Sequence, residues 1–102
     1  MSLPETILVV SATIDPAVEA DWNRWYNEEH LPEIVDCPGF RSGQRYVSQG
    51  ADGARKYVAI YELDDASALQ TAEFSARRGW SVFKDKVSFE SVEYKRIAQI
   101  VG

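Results

Sequence analysis

Residues 20–32, ADWNRWYNEEHLP, decide the fold of this chain, because they hold two of its three tryptophans, its single histidine and a proline. Val18, Trp22, Trp25 and Glu29 recur at helical spacing and fall on one narrow stripe, with Tyr26 at its edge. The stripe predicts an amphipathic helix whose aromatic side packs against the rest of the domain.

The flanking residues predict the bounds of this helix. Asp15 can cap free amide groups, and Pro16 fits the first helical position, where its missing N–H is not needed. Leu31 precedes Pro32 and is therefore disfavoured in a helical conformation, so the regular helix is expected to end near His30. A short turn at residues 33–35 can follow the proline, and the turn signal at residues 36–39 (DCPG) stops it.

The remaining elements follow from periodicity and turn signals. Apolar and β-branched runs predict strands at residues 6–13, 40–48, 56–63 and 88–100. Residues 50–53, GADG, join the second and third strands in a hairpin, and Asp64 and Asp65 cap a second helix that Gly79 ends. The order β-α-β-β-α-β predicts an α+β, ferredoxin-like fold: an antiparallel four-stranded sheet with two helices on one face.

Two of the predicted strands are apolar on both faces. Residues 7–12 include one polar side chain, Ser11, and residues 57–61 read YVAIY. Such strands are buried on both sides, whereas the two helices cover only one face of the sheet. Because a bare apolar face promotes aggregation, the pattern predicts a homodimer that packs sheet against sheet.

Length and charge limit the classes of function. A chain of 102 residues is expected to form a single domain, residues 1–102. Eleven basic and sixteen acidic residues give a net charge of −5, which argues against nucleic acid or an anionic membrane as a partner. The apolar run 7–10 is too short to span a bilayer and follows no basic segment, so no signal peptide is expected and the default location is cytoplasmic.

Composition also bears on metals and cofactors. Because Cys37 is the single cysteine, an intramolecular disulfide is excluded. One histidine without suitably spaced carboxylates argues against a zinc or non-haem iron site. The sequence contains neither a phosphate-binding glycine loop nor a dinucleotide fingerprint. We therefore expect no metal and no cofactor.

Residues 21–32, together with 38–40 (PGF), Arg45 and Tyr46, resemble the dimeric α+β barrel superfamily, and within it the EthD-like domains. Residues 57–63, YVAIYEL, fit the same pattern. The resemblance implies ferredoxin-like subunits that pair through their sheets, with a pocket between the helices and the sheet of each subunit. The superfamily includes cofactor-independent monooxygenases, polyketide cyclases, muconolactone isomerases and haem-degrading enzymes, so function has to be argued from the site.

His30 is the first candidate for catalysis, because an imidazole can take or give a proton near neutral pH. Tyr26 lies one turn earlier on the same side, where its hydroxyl can orient the ring. The alternative is that His30 only closes the end of the helix. Glu29 falls inside the aromatic stripe, where it pairs with Arg45 or another cation, stays uncharged, or turns to solvent at a fraying end.

A strand and the second helix contribute further candidates. Arg45 and Tyr46 alternate across their strand, so only one of them can face the helices. Tyr46 is the predicted hydroxyl donor to a substrate oxygen, whereas Arg45 can bind substrate or face the dimer interface. The predicted substrate-binding side chains are Trp22, Trp25, Glu29, Arg45, Trp80 and Phe83; at least one tryptophan is expected to serve only the core.

These residues support three hypotheses and leave open whether the protein is an enzyme. The first is a small cofactor-free enzyme for an apolar oxygenated molecule, polyketide-like or aromatic, in which His30 moves a proton and Tyr46 or Tyr26 binds a carbonyl or enolate oxygen. Its reaction would be cyclisation, dehydration, isomerisation or cofactor-independent oxygenation. The second is a non-catalytic ligand-binding or stress-related dimer. The third is haem binding or degradation, with His30 as axial ligand.

Overall fold

The computed structural model describes residues 5–102. The prediction that no signal peptide is present rests partly on residues 1–4, and these residues lie outside the described part of the chain. Within residues 5–102, no helix has the length and apolar character needed to cross a membrane.

One antiparallel sheet forms the framework of the molecule. Its strands are β1 (Thr6–Ile14), β2 (Phe40–Gln49), β3 (Arg55–Leu63) and β4 (Val87–Lys95). They lie in the order β2-β3-β1-β4, with each neighbouring pair antiparallel. The predicted ferredoxin-like arrangement is therefore confirmed.

The helical segments connect these strands. They are α1 (Glu19–Trp25), a π-helical turn (Tyr26–His30), α2 (Leu31–Val35) and α3 (Ala72–Arg77), with 3-10 turns at Pro16–Val18, Ala66–Gln70 and Ser81–Phe83. The predicted start of the first helical segment is confirmed, since the Ala17 N–H donates to Oδ1 of Asp15 at 2.9 Å. The predicted second helix is divided into a 3-10 turn capped by Asp65 and α3, which Thr71 caps through the Phe74 N–H at 3.1 Å.

The short turn predicted after Pro32 is present as α2, but it follows the π turn that ends at His30 without a break in the helical path. The helical path continues through the π turn into α2 and ends at Val35. The Leu31 N–H donates to the carbonyl of Tyr26, five residues earlier. A proline inside a regular α-helix collides with the carbonyl four residues before it, and the wider π turn accommodates Pro32 without breaking the helical path.

The last strand is shorter than predicted. It ends at Lys95 rather than near residue 100, and residues 96–102 have no regular secondary structure. Ile97 and Ile100 are 100% and 96% exposed, so neither contributes to the core.

The helices cover one face of the sheet, and the core lies between them. Burial alternates along the central strands, where the buried side chains are Leu8, Val10 and Ala12 of β1 and Tyr57, Ala59, Tyr61 and Leu63 of β3. The opposite face carries the half-buried Ile7, Val9, Val58, Ile60 and Val92. The central strands are thus apolar on both faces, as predicted, and the face away from the helices has no partner within the described chain.

A glycine lets α2 approach the sheet closely. A Cβ atom on Gly43 would lie 2.7 Å from Cγ2 of Val35 and 2.9 Å from the ring of Tyr61. No other residue fits there without displacing one of these neighbours. The close approach brings the end of the π turn over the central strands, where the candidate site is found.

Candidate functional site

His30 lies at the end of the π turn and is only 5% exposed. Its imidazole stacks on Trp25 with ring centroids 4.6 Å apart and an interplanar angle of 14°. The ring of Tyr26 meets it edge-on at 4.9 Å, and Trp80 lies at 6.0 Å. His30 therefore belongs to an aromatic cluster in the interior, and it does more than close a solvated helix end.

The π turn explains why His30, and not Glu29, points inward. Regular helical spacing places Glu29 on the aromatic stripe, but the wider turn inserts one additional residue, so the inward position passes to His30. Glu29 is exposed. Of the alternatives for Glu29, the ion pair with Arg45 does not form: the Arg45 guanidinium donates instead to the side-chain oxygens of Asn27 at 2.7 Å and Asn23 at 2.9 Å.

Glu33 holds the imidazole in place. Its Oε1 lies 2.9 Å from Nδ1 of His30, three residues earlier on the continuous helical path. A carboxylate at this distance favours the tautomer with the proton on Nδ1, which leaves a lone pair on Nε2. Nε2 makes no hydrogen bond to any residue in the described part of the chain. The sequence places Glu33 in the short turn after Pro32 but does not indicate its contact with His30, because that contact needs an unbroken helical path between them.

The surroundings of His30 set its charge. Burial lowers the pKa of the imidazole below 6.5, and the nearby positive charge of Arg45 adds to that effect. The hydrogen bond and charge of Glu33 oppose it but do not reverse its direction. At neutral pH His30 is therefore uncharged and able to accept a proton.

The tyrosine that packs against the imidazole, Tyr26, shares a hydrogen bond with a second tyrosine, Tyr61. The hydroxyl oxygens of Tyr26 and Tyr61 are 2.7 Å apart, and both side chains are buried. Burial raises the pKa of each phenol, so both stay protonated at neutral pH. Since one hydroxyl donates to the other, one hydroxyl hydrogen of the pair remains free to bind a third oxygen. Tyr61 was not among the predicted site residues.

A small cavity of about 70 Å³, called the interior cavity below, adjoins this cluster and opens to solvent at the exposed residues Gly79, Phe89 and Ser91. It lies between the sheet and the helices, and its walls include Leu8, Val10, Ile34, Tyr61, Phe74 and Trp80. The volume corresponds to roughly two water molecules. Two of the residues that line the cavity lead to His30. Trp80 lies 6.0 Å from the imidazole between ring centres, and Tyr61 is hydrogen-bonded to Tyr26, whose ring contacts the imidazole.

The structure places Tyr46 away from this cluster. Arg45 faces the helices, with its guanidinium 4.2 Å from the ring centre of Tyr26. Tyr46 therefore points to the other face of the sheet and is 57% exposed. Tyr46 is therefore not brought to the His30 cluster, and the hydroxyl that meets Tyr26 there belongs to Tyr61 on the neighbouring strand.

The predicted aromatic residues divide into two groups. Trp25, Trp80 and Phe83 gather around His30, with Phe83 5.5 Å from Trp25 between ring centres. Trp22 is fully buried, and its ring packs against Tyr26, Tyr57 and Trp80. Trp22 thus serves the core, as expected for at least one tryptophan.

Neither a reactive cysteine nor a group of metal-binding side chains is found at the site in the described residues. Cys37 is buried, its Sγ lies 3.6 Å from the carbonyl of Glu33, and burial raises the pKa of the thiol, so it is a poor nucleophile. Within residues 5–102, no three His, Cys, Asp or Glu side chains are grouped closely enough to hold a metal ion.

A second, open concavity lies outside the aromatic cluster. It has a volume of about 640 Å³ between α1, the π turn and the hairpin of β2 and β3. Its walls include Asn23, Asn27, Arg45, Val47, Arg55 and Tyr57, none of which lines the interior cavity. We call it the hairpin cleft.

The sheet order and the placement of the helices define the class as α+β domains with a ferredoxin-like fold. Within that class, the chain belongs to the family described as a domain of unknown function, DUF4286, whose model matches residues 5–97. It is also similar to core atranone cluster (CAC) protein 1 of Stachybotrys chlorohalonatus (strain IBT 40285), with 27% identity over 92 residues. That match covers 83% of this chain but only 39% of the fungal protein.

Two solved structures show the same fold. An EthD-family protein from Bacillus halodurans c-125 is 17% identical with a TM-score of 0.65, covering 85% of this chain and 96% of its own. A mutant of SnoaB, a cofactor-independent oxygenase from Streptomyces nogalater, is 15% identical with a TM-score of 0.65, covering 94% and 97%. The predicted likeness to EthD-like domains is confirmed. Identities this low establish the fold and not the reaction.

Proposed function

We propose that this protein is a small enzyme that moves a proton beside a carbonyl group of an apolar, oxygenated molecule, without a cofactor. One observation carries the proposal: Glu33 holds an uncharged His30 imidazole edge-on to the ring of Tyr26, whose buried hydroxyl is hydrogen-bonded to that of Tyr61. A base and an oxygen-binding group are what proton abstraction from carbon requires.

His30 acts as the base in this proposal. Its Nε2 removes a proton from the carbon next to the carbonyl, and the imidazolium then returns that proton to a different atom of the enolate. The Glu33 carboxylate accepts from Nδ1 throughout, so it orients the ring and stabilises the positive charge that develops on it. The site therefore favours isomerisation, dehydration or cyclisation.

The tyrosine pair stabilises the other end of the substrate. The free hydroxyl hydrogen of the pair donates to the carbonyl oxygen, whose negative charge grows as the enolate forms. Arg45 lies over the Tyr26 ring at 4.2 Å, and its charge opposes the burial-induced rise in the pKa of Tyr26, which makes the phenol a better donor. The aromatic walls exclude water and select apolar molecules.

The comparison with SnoaB supports a cofactor-free reaction. SnoaB is described as a cofactor-independent oxygenase, and it shares this fold. The same base can deprotonate an electron-rich phenol or enol, whose carbanion then reduces oxygen without help from the protein. Oxygenation is accordingly the second reaction to test, by oxygen consumption with the same substrates.

Deuterium exchange tests the proposal directly. We expect the protein to accelerate exchange at the acidic carbon of ethyl 2-methylacetoacetate or 1-tetralone in D₂O, followed by proton NMR. Tyr61→Phe should reduce the acceleration roughly tenfold or more, because loss of one oxyanion donor can cost up to about a thousandfold. The matched control Tyr46→Phe removes an exposed hydroxyl on the other sheet face and should leave the rate unchanged.

Other outcomes would point to the other hypotheses. Saturable binding of these ketones without exchange or oxygen consumption would indicate a non-catalytic ligand-binding protein. A Soret band on haem titration that His30→Ala abolishes would indicate haem binding. Equal losses in Tyr61→Phe and Tyr46→Phe would contradict the assignment of the hydroxyl pair.

We also propose that two copies of the chain pack through the sheet face opposite the helices. Its support is the apolar row of Ile7, Val9, Val58, Ile60 and Val92 across the sheet. Sedimentation equilibrium at micromolar concentration should give twice the chain mass of 11.5 kDa. A mass of one chain would refute the dimer.

A further inference from the structure

The hairpin cleft holds an arginine whose charge no carboxylate balances. Two N–H groups of Arg45 donate to the amide oxygens of Asn27 and Asn23, at 2.7 and 2.9 Å, and its guanidinium plane lies over Tyr26, Trp22 and Tyr57. Within residues 5–102, no Asp or Glu lies within ion-pair distance of it. Three of its five N–H donors have no partner in the described part of the chain.

A second arginine enters the same cleft from the opposite strand. Arg55 donates to Oε2 of Glu19 at 3.0 Å, and the Tyr57 hydroxyl donates to the same carboxylate oxygen. The charges of Arg55 and Glu19 therefore compensate each other, and Arg45 is left as the excess positive charge. The cleft thus carries one net positive charge although the chain as a whole has a net charge of −5. A single positive charge suits a ligand with one negative charge rather than a polyanion.

The walls beyond the guanidinium are partly apolar. Val47 stands two residues beyond Arg45 on the same face of β2 and is 59% exposed, and the Tyr57 ring lies beside the Arg45 guanidinium. A volume of about 640 Å³ lies within the range of cavities that hold small organic molecules. The cleft thus combines a fixed cation with apolar contact surface.

We propose that the hairpin cleft binds an organic anion with a single carboxylate on an apolar body. The carboxylate accepts two N–H groups of Arg45, a pairing that matches the planar fork of a guanidinium. The apolar body lies along Val47 and the Tyr57 ring. Tyr26 separates this site from the His30 cluster, since its ring contacts Arg45 and its hydroxyl contacts Tyr61.

Titration with octanoate tests this site on the intact protein. Calorimetry and ¹⁵N-labelled amide shifts should show saturable binding of one octanoate per chain, with the largest shifts in β2 and the π turn. Arg45→Gln should weaken the affinity about tenfold or more, because hydrogen bonds to charged groups are among the strongest in proteins. The control Arg41→Gln removes an exposed arginine of the same strand, paired with Asp64, and should change the affinity less than twofold.

A second variant keeps the test valid if Arg45→Gln does not fold. Val47→Asp places a negative charge in the cleft at an exposed position and should abolish octanoate binding while leaving ketone exchange intact. Binding that survives Val47→Asp, or that is absent from the wild-type protein, would overturn the proposal.

The proposal of an anion site in the hairpin cleft and the proposal of proton transfer at His30 can be tested separately. His30→Gln should bind octanoate with wild-type affinity, because His30 does not line the cleft. Loss of octanoate binding in His30→Gln alone would place the anion in the interior cavity and contradict the site.

Discussion

His30→Gln should reduce kcat/KM for carbonyl proton exchange by about 100- to 10,000-fold, the range that removal of a general base produces. Glutamine has similar size and can keep a polar contact to Glu33, so the fold should persist. The loss arises because an amide cannot accept a proton at neutral pH. The rate is measured by deuterium incorporation, and circular dichroism of the variant provides the control for folding.

The pH dependence of the wild-type rate should have a definite sign. Only the uncharged imidazole accepts a proton, and burial holds the pKa of His30 below 6.5. The rate should therefore be constant above neutral pH and decrease as the pH falls through that lowered pKa.

A His30→Gln variant that retains its rate within about threefold would remove His30 from the mechanism, since a general base contributes at least about a hundredfold.

Trp22→Ala should lower the free energy of unfolding by about 3–5 kcal/mol, as truncation of a large buried aromatic residue does. Trp22 is 0% exposed and packs against Tyr26, Tyr57 and Trp80, so its removal leaves a cavity under both the cleft and the His30 cluster. Small domains have only about 5–15 kcal/mol of stability, so this variant should be partly unfolded at 37 °C. Urea denaturation followed by circular dichroism measures the change.

Two controls separate packing from polarity at this position. The indole Nε1 of Trp22 is buried without a hydrogen-bond partner in the described part of the chain, so Trp22→Phe loses ring area but no hydrogen bond and should cost less than Trp22→Ala. Val82 is 83% exposed, and Val82→Ala should change stability by less than about 0.5 kcal/mol. A cost below about 1 kcal/mol for Trp22→Ala would contradict the core assignment.

The sheet was predictable from the sequence because its signals are local. Apolar runs on both faces of β1 and β3, the GADG hairpin and the Asp15–Pro16 helix start each depend on neighbouring residues, and together they define the ferredoxin-like order. The last strand was predicted too long, because Ala98 and Ile100 continue its alternation although no neighbouring strand pairs with them.

The site was only half predictable because it depends on one extra residue in a helical turn. A regular helix places Glu29 inside and ends before Glu33, whereas the π turn brings His30 inside and lets the helical path reach Glu33. Pro32 by itself predicts the end of the regular helix, and nothing in the local sequence distinguishes that outcome from a π turn that accommodates the proline. Tyr61 was missed because its pairing with Tyr26 joins residues 35 positions apart, which periodicity does not report.

The charge and tautomer of His30 are the central claim, and ¹⁵N NMR of the imidazole measures both. The chain has one histidine, so the two ring nitrogens give an unambiguous signal. We expect Nδ1 to carry the proton and Nε2 to be unprotonated at pH 7, with a titration midpoint below 6.5. A proton on Nε2 at pH 7, or a midpoint above 6.5, would contradict the assignment of His30 as the base.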